Sequence, residues 1–212
     1  HYDWHCKRTP MNPFRKKSKN YVIVVSGLPR SGTSAMMQML LAGGIPLLYD
    51  DHRPADANNP RGYYELEPVK RLHSHEDNWL NDAVGKAVKV VSPLLPFLPQ
   101  AYHYRMLFME RDIDEIIRSQ LAMRKQLQST APVSDDLRAN SVAHLAQTKQ
   151  WLESQKHIQV EYVFHHQLIK QPRQIAEQVC RFLGQPLDVD AMEDAIVPSL
   201  YRQRSDDVSE PS

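Results

Sequence analysis

The 212-residue chain has little cysteine, little excess charge and no long apolar run. Its two cysteines, Cys6 and Cys180, can form neither a disulfide framework nor a metal-ligand pattern, so the expectation is a reducing, cytoplasmic setting. A net charge of +1 gives no global field toward nucleic acid or membrane, and neither is expected as a partner. Anion binding must then come from local clusters. No apolar run approaches the ~20 residues of a membrane span, and the first residues lack the apolar core of a signal peptide. Repeats and low-complexity tracts are absent too.

What is present fits a globular protein. An apolar fraction of 42% and a charged fraction of 24% allow a real core, and the length suits one α/β domain with an arm. Residues 1–20 read as that arm or linker: Lys7, Arg8, Arg15, Lys16, Lys17 and Lys19 stand against Asp3, with no apolar period. The domain follows over 21–212. The chain opens at His1 rather than Met, so an upstream domain in a longer protein and a start at Met11 both stay open.

Order begins at Tyr21. The β-branched run that follows, Val22-Ile23-Val24-Val25, has the pattern of a strand buried on both faces. Gly27 to Gly32 reads as a turn and Thr33 to Ala42 as a helix ended by Gly43-Gly44. Further strands are expected at 87–91, 104–109 and 157–164. Helices are expected at 68–81, 113–128, 134–155 and 172–183, the last opened by Pro172 and stopped by Gly184. This alternation implies a three-layer α/β/α fold around a central parallel sheet.

Gly27-Leu28-Pro29-Arg30-Ser31-Gly32-Thr33-Ser34 has the G-x-x-x-x-G spacing of a phosphate-cradling loop, placed between strand and helix as that motif requires. Its glycines let backbone N–H groups approach an anion, and the helix start at Gly32 to Ser34 adds unpaired donors. A triphosphate loop would carry Lys after the second glycine; here Thr33 stands there, and the cation is Arg30 inside the loop. That suits one phosphate bearing a short charged group better than Mg-ATP. A tight turn with no ligand is the competing reading.

Val24 to Ser34 resembles the 5′-phosphosulfate loop of sulfotransferases, in the Pro-Arg-Ser-Gly-Thr form of bacterial members. A second match is Arg111 at the end of a strand with Ser119 eight residues on, the pattern that grips a 3′-phosphate in that family. An Arg fork plus a hydroxyl is a sound dianion clamp. Eight residues exceed two helical turns, so Ser119 can face Arg111 only if its helix begins late. A third match is the tail segment from Pro198 to Arg204, where Arg202 and Arg204 would assist the same phosphate. The resemblance runs from Tyr21 to Arg204 and implies a sulfotransferase with a P-loop NTPase-like fold. It would use 3′-phosphoadenylyl sulfate without a metal and release adenosine 3′,5′-bisphosphate. Gly27, Pro29, Arg30, Ser31, Gly32, Thr33, Ser34, Arg111, Ser119, Arg202 and Arg204 would bind the donor. The chain departs from the family at His165, where Tyr is common, and at Gln167, where Asp is common.

Sulfuryl transfer builds negative charge on the bridging oxygen, and the N–H groups of residues 31–34 with the Arg30 guanidinium are expected there. Glu65, in Gly62-Tyr63-Tyr64-Glu65, is the candidate base for an acceptor hydroxyl or amine, with Glu67 and His52 as competitors. Lys89 could approach the sulfuryl group, although a lysine flanking a strand is usually a surface residue. His73 and His75 lie two apart on an expected helix and so face different ways, which argues against a metal. The leucine-rich stretch from Pro93 to Pro99 is expected as core or pocket wall. The acceptor, a small molecule or glycan, would be held by residues 50–59 and 128–134. A P-loop kinase, which needs the missing lysine, and a non-catalytic nucleotide-binding module are the rival readings.

Overall fold

The computed structural model describes residues 20–50, 55, 59, 61–126, 128 and 136–198. Residues 1–19 of the expected arm, His52, Arg202, Arg204 and most of both expected acceptor segments lie outside them.

Four strands form one parallel sheet in the order β2-β1-β3-β4. They are β1 (Val22–Gly27), β2 (Ala87–Lys89), β3 (Tyr104–Glu110) and β4 (Ile158–Phe164). Every residue of β1 is buried, which explains its uninterrupted apolar sequence: a central parallel strand is covered on both faces. Ile23 and Val25 face a core built by α1 (Thr33–Ala42), α5 (His165–Lys170), α6 (Pro172–Leu183) and α7 (Val189–Asp194). Val22 and Val24 face the other core, with Val69, Leu72, Leu80, Leu95, Leu98 and Leu152. That side carries 3₁₀ turns at Glu67–Ser74 and Ser92–Phe97, the short α2 (Leu80–Ala83), and α4 (Leu137–Glu153). α3 (Ile113–Gln126) packs beside α4. The architecture is three-layered, as expected, and its core side chains contribute about 1.5–3 kcal/mol each on burial.

The helix expected at 68–81 is instead the 3₁₀ turn Glu67–Ser74, then a break, then α2. His75 adopts a left-handed φ of 58° and ends the first turn. Its buried residues are Val69 and Leu72, one 3₁₀ turn apart, a spacing that an α-helical reading of sequence also tolerates. In the Pro93 to Pro99 stretch, Leu95 and Leu98 are core while Phe97 is exposed.

β1 lies between β2, which follows it in sequence, and β3, reached by a crossover. The carboxyl ends of β1 and β3 therefore flank a topological switch point, where open α/β sheets bind ligands. Among the described residues, no helix is long and apolar enough to cross a membrane.

Candidate functional site

The turn at that switch point needs both of its glycines. Gly27 has φ 141°, and a Cβ there would lie 2.6 Å from the Met109 carbonyl oxygen. Gly32 has φ 103°, and a Cβ there would lie 2.5 Å from Cδ2 of His165. Between them the Ser31 N–H closes a turn on the Leu28 carbonyl at 3.0 Å. Arg30 holds a φ of 76°, a left-handed conformation that costs a non-glycine residue roughly 1–2 kcal/mol. Gly32 caps α1 without a side-chain hydrogen bond, and no acidic residue occupies the first turn. The helix thus presents backbone donors and the positive end of its dipole to the turn. Ser31 is fully buried, and its Oγ has no hydrogen-bond partner. An uncapped helix start beside an orphaned buried hydroxyl fits an oxyanion.

Strand register brings the second anchor to the same turn. Gly27 pairs with Met109, so Arg111, just beyond β3, stands level with Pro29. Arg111 Nη1 donates to the Arg30 carbonyl at 3.1 Å, and Arg30 Nε donates to Ser119 Oγ at 2.9 Å. Gln120 Nε2 adds a bond to the Pro29 carbonyl at 3.1 Å. The helix does begin late, at Ile113, and Ser119 faces the loop with 3% exposure. Arg111 is held from behind by Glu115, its Nε 2.8 Å from Oε2. Arg30 therefore reaches toward α3 and Ser119, interlocking the two expected phosphate positions.

The cation beside the start of α1 is Lys89. It is only 8% exposed, which corrects the expectation of a surface lysine. Its Nζ lies 2.7 Å from the Tyr63 carbonyl, 3.1 Å from Ser34 Oγ and 3.9 Å from Glu65 Oε1. This convergence depends on Tyr64, whose φ of 52° turns the chain so that the Tyr63 carbonyl and the Glu65 carboxylate both face the amine. The Tyr64 ring meets Tyr49 edge-on at 5.4 Å. Burial pushes its phenol above the usual value, with Tyr49 adding to the rise and Arg61 opposing it. Glu67 is turned elsewhere: its carboxylate pairs with Lys70 at 2.7 Å on the surface, and its N–H bonds Asp50 Oδ2. Glu65 is thus the carboxylate beside the loop.

Pro29, Arg30, Ser31, Gly32, Thr33 and Ser34 form one turn with Gly27 at its root, and Arg111 and Ser119 close on it. His165, one of the chain's two departures from the pattern it resembles, is 4% exposed, and its ring packs against Gly32. His73 packs edge-on against Phe97 at 6.4 Å. Among the described residues, no group of three or more His, Cys, Asp or Glu side chains could hold a metal ion. A cavity of about 240 Å³ lined by Tyr21, His103, Arg105 and His157 opens at the amino ends of the strands, the opposite edge of the sheet. It has no part in this constellation.

The family model described as "Sulfotransferase domain" matches residues 21–206. No curated protein sequence matches the chain. Among solved structures, a sulfotransferase domain from the olefin synthase of Synechococcus PCC 7002 is similar at TM-score 0.54 and 16% identity, over 93% of this chain and 91% of that one. A sulfotransferase of Mycobacterium tuberculosis H37Rv is similar at TM-score 0.56 and 20% identity, over 84% of this chain and 70% of that one. One from Alicyclobacillus acidocaldarius is similar at TM-score 0.53 and 17% identity, over 85% and 87%. At such identities the likeness is one of fold.

Proposed function

The chain belongs to the sulfotransferase family, and from that premise we propose that it transfers a sulfuryl group from 3′-phosphoadenylyl sulfate to a hydroxyl or amine acceptor without a metal. One observation carries the reading. Arg111, Arg30 and Ser119 interlock on the turn that also presents the uncapped start of α1. Two anion positions, one at the helix start and one at the end of β3, match a ligand with two separated phosphates.

The donor, when bound, supplies a sulfuryl group on a phosphate leaving group. In this reading the N–H groups of residues 31–34 and the Ser31 hydroxyl hold the 5′-phosphate, while Arg111 and Ser119 hold the 3′-phosphate. Arg30 lies between the two and offsets the charge that develops on the oxygen bridging to sulfur. Lys89, beside Ser34, is the cation for the sulfuryl oxygens. Glu65, 3.9 Å from Lys89, takes the acceptor proton as the new bond to sulfur forms. Arg202 and Arg204 would assist the 3′-phosphate, and a small molecule or glycan acceptor in a cytoplasmic setting belongs to the same reading.

Titration calorimetry with adenosine 3′,5′-bisphosphate and with ATP, each with and without Mg²⁺, tests it. Metal-independent binding of the bisphosphate is expected. Preference for Mg-ATP would replace the reading with a kinase, and silence toward all four would leave a non-catalytic module.

A further inference from the structure

Helix α4 does more than cover the sheet. Its Lys149 Nζ reaches Glu110 Oε2, at the carboxyl end of β3, at 2.8 Å. Earlier on the same helix, His144 reaches the exit of β2, with Nε2 2.9 Å from Ser92 Oγ. These contacts stand on either side of β1, so this part of α4 crosses the sheet near the carboxyl ends of its strands, on the face opposite α1. Ser92 follows β2 at the carboxyl edge of the sheet, the edge that also carries the phosphate loop. Lys89 pairs with Val25, and Ser92 opens the 3₁₀ turn three residues beyond Lys89, at the same carboxyl edge of the sheet. His144 thus stands at the carboxyl edge of the sheet, beside the end of the strand that carries Lys89.

The ring is held at one nitrogen. Ser92 is 1% exposed and Thr148 is 7% exposed, and Thr148 Oγ1 lies 3.3 Å from the same Nε2. Ser92 Oγ and Thr148 Oγ1 both stand within hydrogen-bond reach of Nε2, and the direction of these bonds follows the ring's tautomer. With Ser92 donating to Nε2, the neutral imidazole carries its proton on Nδ1. The residue is half-buried.

Building on the transfer reading above, we propose that His144 is a catalytic residue that holds the acceptor: its Nδ1–H donates to the attacking oxygen, and Ser92 and Thr148 position the ring. A hydroxyl oxygen has one proton and two lone pairs, and each then has a destination. The proton goes to Glu65. One lone pair forms the new bond to sulfur while the bridging oxygen–sulfur bond breaks and leaves its electron pair on the phosphate. The second lone pair accepts from His144. An amine nitrogen has a single lone pair and leaves nothing for Nδ1–H, so the acceptor of this site is an alcohol or phenol rather than an amine.

Vanadate, which takes a five-coordinate form with an apical oxygen where an attacking oxygen would stand, probes this without knowledge of the acceptor. The measurement is the affinity for adenosine 3′,5′-bisphosphate with and without vanadate, in wild type, His144→Gln, His144→Asn and Ser92→Ala. Gln keeps a partner for Ser92 and removes the Nδ1 donor; Asn keeps a donor near Nδ1 and abandons Ser92. Bisphosphate alone should bind all four equally, which also reports that each is folded. Vanadate should tighten that binding in wild type, and His144→Gln should lose about tenfold of the tightening, the usual worth of a hydrogen bond to a charged group. Asn should restore part of it, and Ser92→Ala should lose less than Gln. Equal tightening in wild type and His144→Gln would leave the ring a structural role only and overturn the inference. So would bisphosphate binding that vanadate does not affect in wild type. Failure of wild type to bind the bisphosphate would instead overturn the transfer reading itself.

Discussion

Replacing Arg111 tests the site where function and stability overlap. Its guanidinium bonds the Arg30 carbonyl at 3.1 Å and pairs with Glu115 at 2.8 Å, and the two side chains are only 8% and 11% exposed. Arg111→Ala therefore does two things. It removes a charge-assisted contact to the 3′-phosphate, worth about 1.5–3 kcal/mol, or roughly a 10–150-fold rise in Kd for adenosine 3′,5′-bisphosphate. It also leaves Glu115 buried without its cation, which costs about 3–5 kcal/mol of folding stability. For a domain of this size that lowers Tm by roughly 6–20 °C. The double variant Arg111→Ala/Glu115→Ala separates the effects. Removing both partners should recover most of the Tm, since an apolar replacement of a buried pair is often near neutral. Affinity should stay low, because the phosphate contact is still missing. Calorimetry and thermal unfolding on the three proteins read both quantities. If Arg111→Ala binds the bisphosphate as wild type does, or if the second substitution restores affinity, Arg111 has no contact with the ligand and the argument from register fails.

Gly32→Ala should weaken bisphosphate binding at least tenfold and lower Tm by a few degrees. The new methyl group meets the His165 ring in a backbone conformation that already disfavours it; wild-type affinity would show that the loop can shift. Glu65→Gln should keep bisphosphate affinity and slow transfer by about 10²-fold or more, and normal turnover would assign the base elsewhere. Lys89→Met, close in length but uncharged, should also leave bisphosphate affinity near wild type while slowing sulfuryl transfer by about 10²-fold or more. A variant that instead lost bisphosphate binding would move Lys89 from the sulfuryl to the phosphates.

The strands were legible because a parallel sheet covered on both faces demands an unbroken apolar run, and Val22 to Val25 and Met106 to Met109 supply one. The loop was legible because its glycines answer a local need: each has a positive φ and no room for a Cβ. Even the spacing of Arg111 and Ser119 carried its own geometric condition, a late helix start, which α3 meets at Ile113. The segment from Glu67 to Ala83 was not legible. Its apolar residues Val69, Leu72 and Leu80 satisfy a 3₁₀ turn plus a short helix as well as one long helix. What separates these is the left-handed turn at His75, a residue with no strong signal for it.

The burial of Lys89 and the place of His144 were hidden for a different reason, which says where sequence reading stops. Within Ala87-Val88-Lys89-Val90-Val91 the lysine breaks an apolar strand, and burial there is tolerable only if partners arrive from elsewhere. They come from Ser34 and from the Tyr63–Glu65 segment, and the latter faces the amine because Tyr64 adopts a conformation unusual for a bulky residue. His144 sits in a helix whose apolar residues are spread around it, with Val142 exposed and Leu152 buried, so the sequence does not mark the covered face, and its partner Ser92 lies in a different element. The signal in both cases is negative: a polar side chain at a position that the fold buries or half-buries. Burial of a charge without compensation would cost several kcal/mol. An ionisable residue inside an apolar strand therefore implies partners before any are visible, and the carboxyl edge of a parallel sheet is the first place to look for them.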